Sequence, residues 1–325
     1  MADFLFQLLL AIDATFRVAT PLILCAMAGI FSERSGIIDI SLEGKMLLSA
    51  FAAASVAYTT GSAWLGLGAA MAVSVAASLL HGFATITHRG DQVISGLAIN
   101  ILASGLTVTL GIAFFRQGGQ TPLLPRDARF GALDLPFAQT INEWVPVLGP
   151  IYKEVISGHN ILVWVAFLTV AMTYYVLFHT AFGLRLRAVG EKPEALDSAG
   201  LSVAFMRYRA VIIAGLLCGI AGAYLSTATG AGFVREMTAG KGYIALAAMI
   251  FGKWRPMGAL MACLMFGFLE AVAARLQGVE IAYIGEISSD LVLALPYVLT
   301  VILLAGFIGG TTPPRAIGRP YIKER

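Results

Sequence analysis

Polar positions along this chain gather into a few clusters, and long apolar runs separate them. Between residues 46 and 115 the only Asp, Glu, Lys or Arg residues are Arg89 and Asp91, and none occurs in 159–184, 210–234 or 291–314. A bilayer's hydrocarbon core is crossed by about 20 mostly apolar residues in helical form, because a helix satisfies its own backbone hydrogen bonds where there is no water. The runs therefore predict membrane helices at 18–31, 46–60, 62–87, 92–115, 160–182, 210–232, 256–275 and 291–309. Those at 18–31 and 46–60 are short for a full crossing. Residues 3–16 read as an interfacial helix or an extension of the first span, with Asp13 and Arg17 four apart and able to pair on one face.

Composition sharpens the picture. Hydrophobic residues are 58% of the chain and Asp, Glu, Lys and Arg together 13%, against about 45–50% and about 25% in soluble domains. The 22 basic and 19 acidic side chains of a 325-residue chain are too few to coat a soluble globule. The fold class that follows is an all-α polytopic membrane protein. It is one transmembrane domain over 1–325 with about 8–10 helices, at least one of them short or broken. Cys25, Cys218 and Cys263 lie in apolar runs and read as small core residues. The four histidines make no ligand pattern, so no metal is expected; His81 alone lies deep in a span.

Charge placement sets an orientation. Arg185, Arg187, Lys192, Arg207 and Arg209 form one basic cluster and Arg315, Arg319, Lys323 and Arg325 another, and the positive-inside rule puts both in the cytoplasm. An even number of crossings must then separate them. Three clear spans lie between, so the short run 242–252 must complete a fourth. Eleven helical residues cover only about 16 Å, so irregular backbone over 231–241 makes up the rest, a stretch that lines a cavity or its rim. Counting back gives nine crossings, an outer N-terminus, a cytoplasmic C-terminus and an extracytoplasmic segment at 116–159.

Four stretches carry candidate chemistry. Residues 32–44 (SERSGIIDISLEG) mix apolar and ionisable positions, as a broken or re-entrant helix does or a solvated loop; Asp39 and Glu43, four apart, can share a face. Residues 91–107 open with the N-cap Asp91 and place Asn100 in mid-span, as an interhelical hydrogen-bonding group or a substrate contact. In 183–209, Pro193 and Gly200 bracket a short surface helix at 192–199, suited to dock a cytoplasmic partner or simply connecting two spans. Glu270 is expected to face the bundle interior, and Trp64, Trp144, Trp164 and Trp254 to sit in the aromatic belts at span ends. No Walker A, HExxH, GxSxG or dinucleotide-binding motif occurs. The chain is not expected to be an enzyme.

The segments SERSGIIDISLEGKMLL, SGLAINILASGLT, RAVGEKPEALDSAGL and GYIALAAMIFGKWRPMGALM resemble the permease subunits of bacterial ABC importers, in the superfamily for branched-chain amino acids and simple sugars, and most of all its nucleoside-uptake members. The likeness covers residues 19–309. It implies a non-enzymatic permease that pairs with a second permease subunit, the same or different. The pair works with ABC ATPase subunits, which hold the ATP and Mg, and with an extracytoplasmic substrate-binding protein. It lies in the bacterial inner membrane and has no nucleic-acid partner. Glu194, Ala195 and Gly200 match the family's coupling pattern, with Leu196 where a second Ala is common. Asp39 stands where nucleoside-type members usually have Asn, and Ser41 where Gly is common. Asp39, Glu43, Asn100 and Tyr243 are the translocation-pathway candidates by position. A sugar or branched-chain amino acid is the alternative cargo, and a secondary transporter or channel working alone the alternative class.

Overall fold

A computed structural model describes residues 2–133, 157–276, 280–281, 285–286, 294, 298 and 312–323. These residues hold ten α-helices: α1 (Ala2–Arg34), α2 (Leu42–Thr60), α3 (Ala63–Gly82), α4 (Gln92–Phe115), α5 (Ile161–His179), α6 (Ala181–Glu191), α7 (Pro193–Ser198), α8 (Val203–Tyr224), α9 (Lys241–Phe251) and α10 (Pro256–Leu276). Single π-turns, Phe83–Thr87 and Leu225–Thr229, prolong α3 and α8. The β structure described is a two-residue antiparallel ribbon, Glu280–Ile281 with Gly285–Glu286, and one bridge between Ala132 and Asn160. Among the described residues, six helices are long and apolar enough to cross a membrane. The chain is a multi-pass, all-α membrane protein.

Several boundaries differ from the expected ones. The first span is not short: α1 runs unbroken through 3–16 and 18–31. Its polar positions do not interrupt it, because Arg17 pairs with Asp13 at 3.1 Å, and the Thr15 and Thr20 hydroxyls donate to the carbonyls of Ala11 and Phe16 one turn back. α2 begins at Leu42 rather than 46, and α8 at Val203 rather than 210, so Arg207 and Arg209 are helical. A charge does not end a helix whose neighbours satisfy it, and Arg207, 1% exposed, donates to backbone carbonyls. The expected span at 291–309 lies outside the described residues except for 294 and 298, and the 116–159 segment does so from 134 to 156.

α1 and α8 form the buried centre, with α2, α3 and α10 packed round them. The inner face of α8 is rich in Ala and Gly, including Ala210, Ala214, Gly215, Gly219 and Gly222. Small residues let helices approach closely where lipid supplies no hydrophobic drive. α4 lies at the edge and turns Ile94, Ile101 and Phe114 outward. Cys25, Cys218 and Cys263 are buried free thiols, as the apolar runs predicted.

The tail 312–323 marks one end of the bundle. Ala316 N–H donates to Gly190 O at 2.8 Å, and Gly318 N–H to Gly36 O at 3.0 Å. α8 departs from this end, where Arg207 donates to Ser35 O at 3.3 Å. The chain is back at the same end by Trp254, whose carbonyl accepts from the Arg34 guanidinium at 3.1 and 2.9 Å. Residues 203–254 thus go out and return, and α9 with the irregular 230–240 forms the return leg. Trp254 itself is not a belt residue. It is 6% exposed, and its indole N–H donates to Glu33 at 2.6 Å. Trp64 and Trp164 are exposed near the starts of α3 and α5, and Trp144 lies outside the described residues.

Candidate functional site

Residues 35–41 are not helical and are largely buried. Such backbone survives inside a bundle only if other groups satisfy it, and here side chains of α3 and α4 do so. Ile38 N–H donates to Gln92 Oε1 at 2.7 Å. Ile38 O accepts from His81 Nε2 at 3.0 Å, which fixes the proton on that nitrogen, and His81 Nδ1 faces Ser95 Oγ at 3.0 Å. Ile40 O accepts from Asn100 Nδ2 at 3.1 Å. The stretch thus runs along α4 from its first residue to its ninth, and α2 starts beside Asn100, well inside the bundle.

Asp39 and Glu43 do not share a helical face, because the helix begins only at Leu42. Asp39 pairs with Lys45 Nζ at 2.6 Å and accepts from Ser41 Oγ; Asp39 and Lys45 are both fully buried. A buried ion pair stands only when its remaining valences are hydrogen-bonded, and Ser41 supplies one such bond. Lys45, placed by sequence at the edge of a loop, is the partner that spacing missed.

Glu43 instead reaches α9. Its carboxylate accepts from Gly240 N–H at 2.9 Å and from Gly242 N–H at 2.6 Å. These are orphan donors at the first turn of α9, and a carboxylate there also meets the positive end of the helix dipole. The contact needs glycine: a Cβ on Gly242 would stand 2.6 Å from the backbone of Glu43. The start of α2 is satisfied likewise, with Gly44 N–H donating to Asn100 Oδ1 at 2.8 Å. Asn100 Nδ2 also donates to Tyr243 OH at 2.9 Å. Two helix N-termini, α2 and α9, therefore meet around Asn100, and all four sequence-predicted pathway residues border that point. Asp39 and Glu43 are buried behind it, Asn100 is half-buried, and Tyr243 is 44% exposed.

The rim of this point is polar. Ser104 donates to Glu236, and Lys241 pairs with Glu270. Glu270 is thus tied to the start of α9 with 37% of its side chain still exposed, an exposed rim position that the expectation of an interior-facing residue did not include.

At the tail end, α6 and α7 form a small helical pair. Pro193 occupies the first turn of α7. Gly200, at φ +77, ends it: Gly200 N–H bonds Asp197 O at 2.9 Å and Leu201 N–H bonds Leu196 O at 3.2 Å, the paired bonds of a Schellman stop. Glu194, Ala195 and Gly200 are exposed, while Leu196 is 5% exposed and packs into the core. Beside α7 runs a groove of 640 Å³ lined by Lys192, Glu194, Arg315, Arg319 and Tyr321.

Broken helices that meet inside a multi-pass bundle are a feature of membrane transporters. The family model for branched-chain amino acid transport system / permease component matches residues 11–312, and the chain belongs to that family. It is 39% identical to the guanosine ABC transporter permease protein NupQ of Bacillus subtilis over 97% of each chain. It is 37% identical to the nucleoside ABC transporter permease protein NupC of Lactococcus lactis, over 94% of this chain and 95% of that one. Identity to the ribose import permease protein RbsC of Escherichia coli is 26%, over 72% and 68%. No solved structure matches.

Proposed function

We propose that this chain is the transmembrane subunit of an ATP-driven, binding-protein-dependent importer that carries a nucleoside by alternating access. The observation that carries the reading is the meeting of α2 and α9 at Asn100 and Tyr243. The amide and the phenol there bond each other and stand partly open. A base edge or a ribose hydroxyl can replace that bond with two of its own, so binding leaves no donor or acceptor stranded. The names and extents of two relatives, at 39% and 37% identity over nearly the whole chain, support the same cargo.

ATP and Mg bind on separate ATPase subunits, which α7 meets through Glu194, Ala195 and the Gly200 turn, with Leu196 fastening it to the bundle. A second permease subunit completes the path and an extracytoplasmic binding protein delivers the solute. The tail end faces the cytoplasm of the bacterial cell, since Arg187, Arg207, Lys253, Arg255, Arg315 and Arg319 cluster there. ATP binding favours one of two arrangements of α7 relative to α2 and α9, and nucleotide release the other.

Uptake of tritiated guanosine into proteoliposomes holding the whole complex tests this. The expected result is uptake that needs ATP and is competed by unlabelled guanosine but not by ribose. Competition by ribose alone would move the cargo to sugars, the reading that the ribose relative favours. Flux through this chain without ATPase subunits, driven by an ion gradient, would make it a secondary transporter.

A further inference from the structure

We infer that Arg207 is a positioning residue through which the coupling helix α7 and the C-terminal tail hold the broken stretch 35–41 in register. The inference rests on the importer reading above. Arg207 is 1% exposed at the start of α8. Its Nε donates to Ser35 O at 3.3 Å and its Nη2 to Arg319 O at 3.2 Å. The guanidinium thus joins the first residue of the stretch to the tail, using two prongs of a rigid fork that a lysine lacks. Glu194 of α7 lines the same groove as Arg319, the tail residue that accepts from Arg207.

The tail makes the same connection by its backbone. It is anchored at Gly190, where α6 ends, and at Gly36, inside the broken stretch. Lys323 extends it to Asp197 of α7 at 3.5 Å. Ile38, two residues past Gly36, is the residue held by Gln92 and His81. A displacement of α7 therefore reaches the level of Asn100 through Arg207 and the tail, then Ser35 to Ile40, along packed and hydrogen-bonded groups. This is the kind of contiguous link that couples distant sites.

The test compares Arg207→Met, Arg207→Lys and Gly318→Val in the assembled complex. Gly318 has φ +72, and a side chain there would press on Ile38, displacing the tail at the surface without touching the core. The measurements are co-purification with the ATPase subunits, basal ATP hydrolysis, its stimulation by loaded binding protein, and tritiated guanosine uptake. Expected are normal assembly and basal hydrolysis, with stimulation and uptake down about tenfold in Arg207→Met and Gly318→Val, within the usual range of coupling. Arg207→Lys, which keeps the charge and a donor, restores part of both. Unchanged stimulation in Gly318→Val, or loss of ATPase binding in that variant, overturns the inference. Should Arg207→Met fail to fold, Gly318→Val and Arg207→Lys decide it. Failure of the wild type to take up guanosine counts against the nucleoside reading only, since stimulation of hydrolysis reports on the link whatever the cargo.

Discussion

The Asp39–Lys45 pair shows how a single residue sets the terms for its neighbours. Both groups are fully buried, so removing one charge leaves the other uncompensated. Asp39→Leu or Lys45→Met alone should destabilise the protein by about 3–5 kcal/mol, whereas the double replacement should recover most of that loss. Thermal unfolding in detergent measures it, and additive single effects would show that the two charges do not act as a pair. Tyr243→Phe removes only the phenolic hydroxyl. On the proposed function it should raise the KM for guanosine about tenfold with little change in assembly, the worth of one hydrogen bond; an unchanged KM would take Tyr243 out of the path. The polar residues of this site were legible in the sequence because an ionisable or amide side chain inside an apolar run has few reasons to be there. Their partners were not. Glu43 bonds residues far along the chain, and Lys45 and Gln92 gain their roles only because the stretch before α2 is unwound.

At the scale of elements, the informative pieces are the broken ones. α9 is an 11-residue helix, and Glu43 satisfies its first turn from another helix. Glu43→Gln keeps the shape but loses the charge and one acceptor, and should cost about 1–2 kcal/mol. Gly242→Ala should cost more, since its Cβ meets backbone that cannot rotate away. Stability curves for the two variants check the order, and equal effects would mean that the close approach relaxes. The short helix in the run 242–252 was legible as an apolar stretch between charged positions. The continuity of α1 was one of two readings left open, because a paired Asp13 and Arg17 look the same in sequence as an interfacial break. The early start of α8 was hidden for a related reason: Arg207 reads as a loop charge until the carbonyls that hold it are in place.

For the whole molecule, orientation is the property most directly tested. The native cysteines are buried, so a membrane-impermeant thiol reagent reports only on introduced ones. Lys323→Cys, in the exposed tail, should be labelled from the cytoplasmic face, and Leu123→Cys, 79% exposed beyond α4, from the opposite face. Labelling of both from one face would contradict the assignment. The bond between Glu43 and the start of α9 also bears on how the protein is made. Its donors are 197 and 199 residues downstream. At about 5–20 residues per second, roughly 10–40 s pass between synthesis of the acid and arrival of the amides it caps. Asn100 and Gln92 likewise follow the backbone groups they satisfy. The leading end of α2 is thus translated before anything exists to neutralise or bond it. Its partners arrive only with later helices, which makes the seating of the residues around Asn100 a closing event of biogenesis rather than an early one.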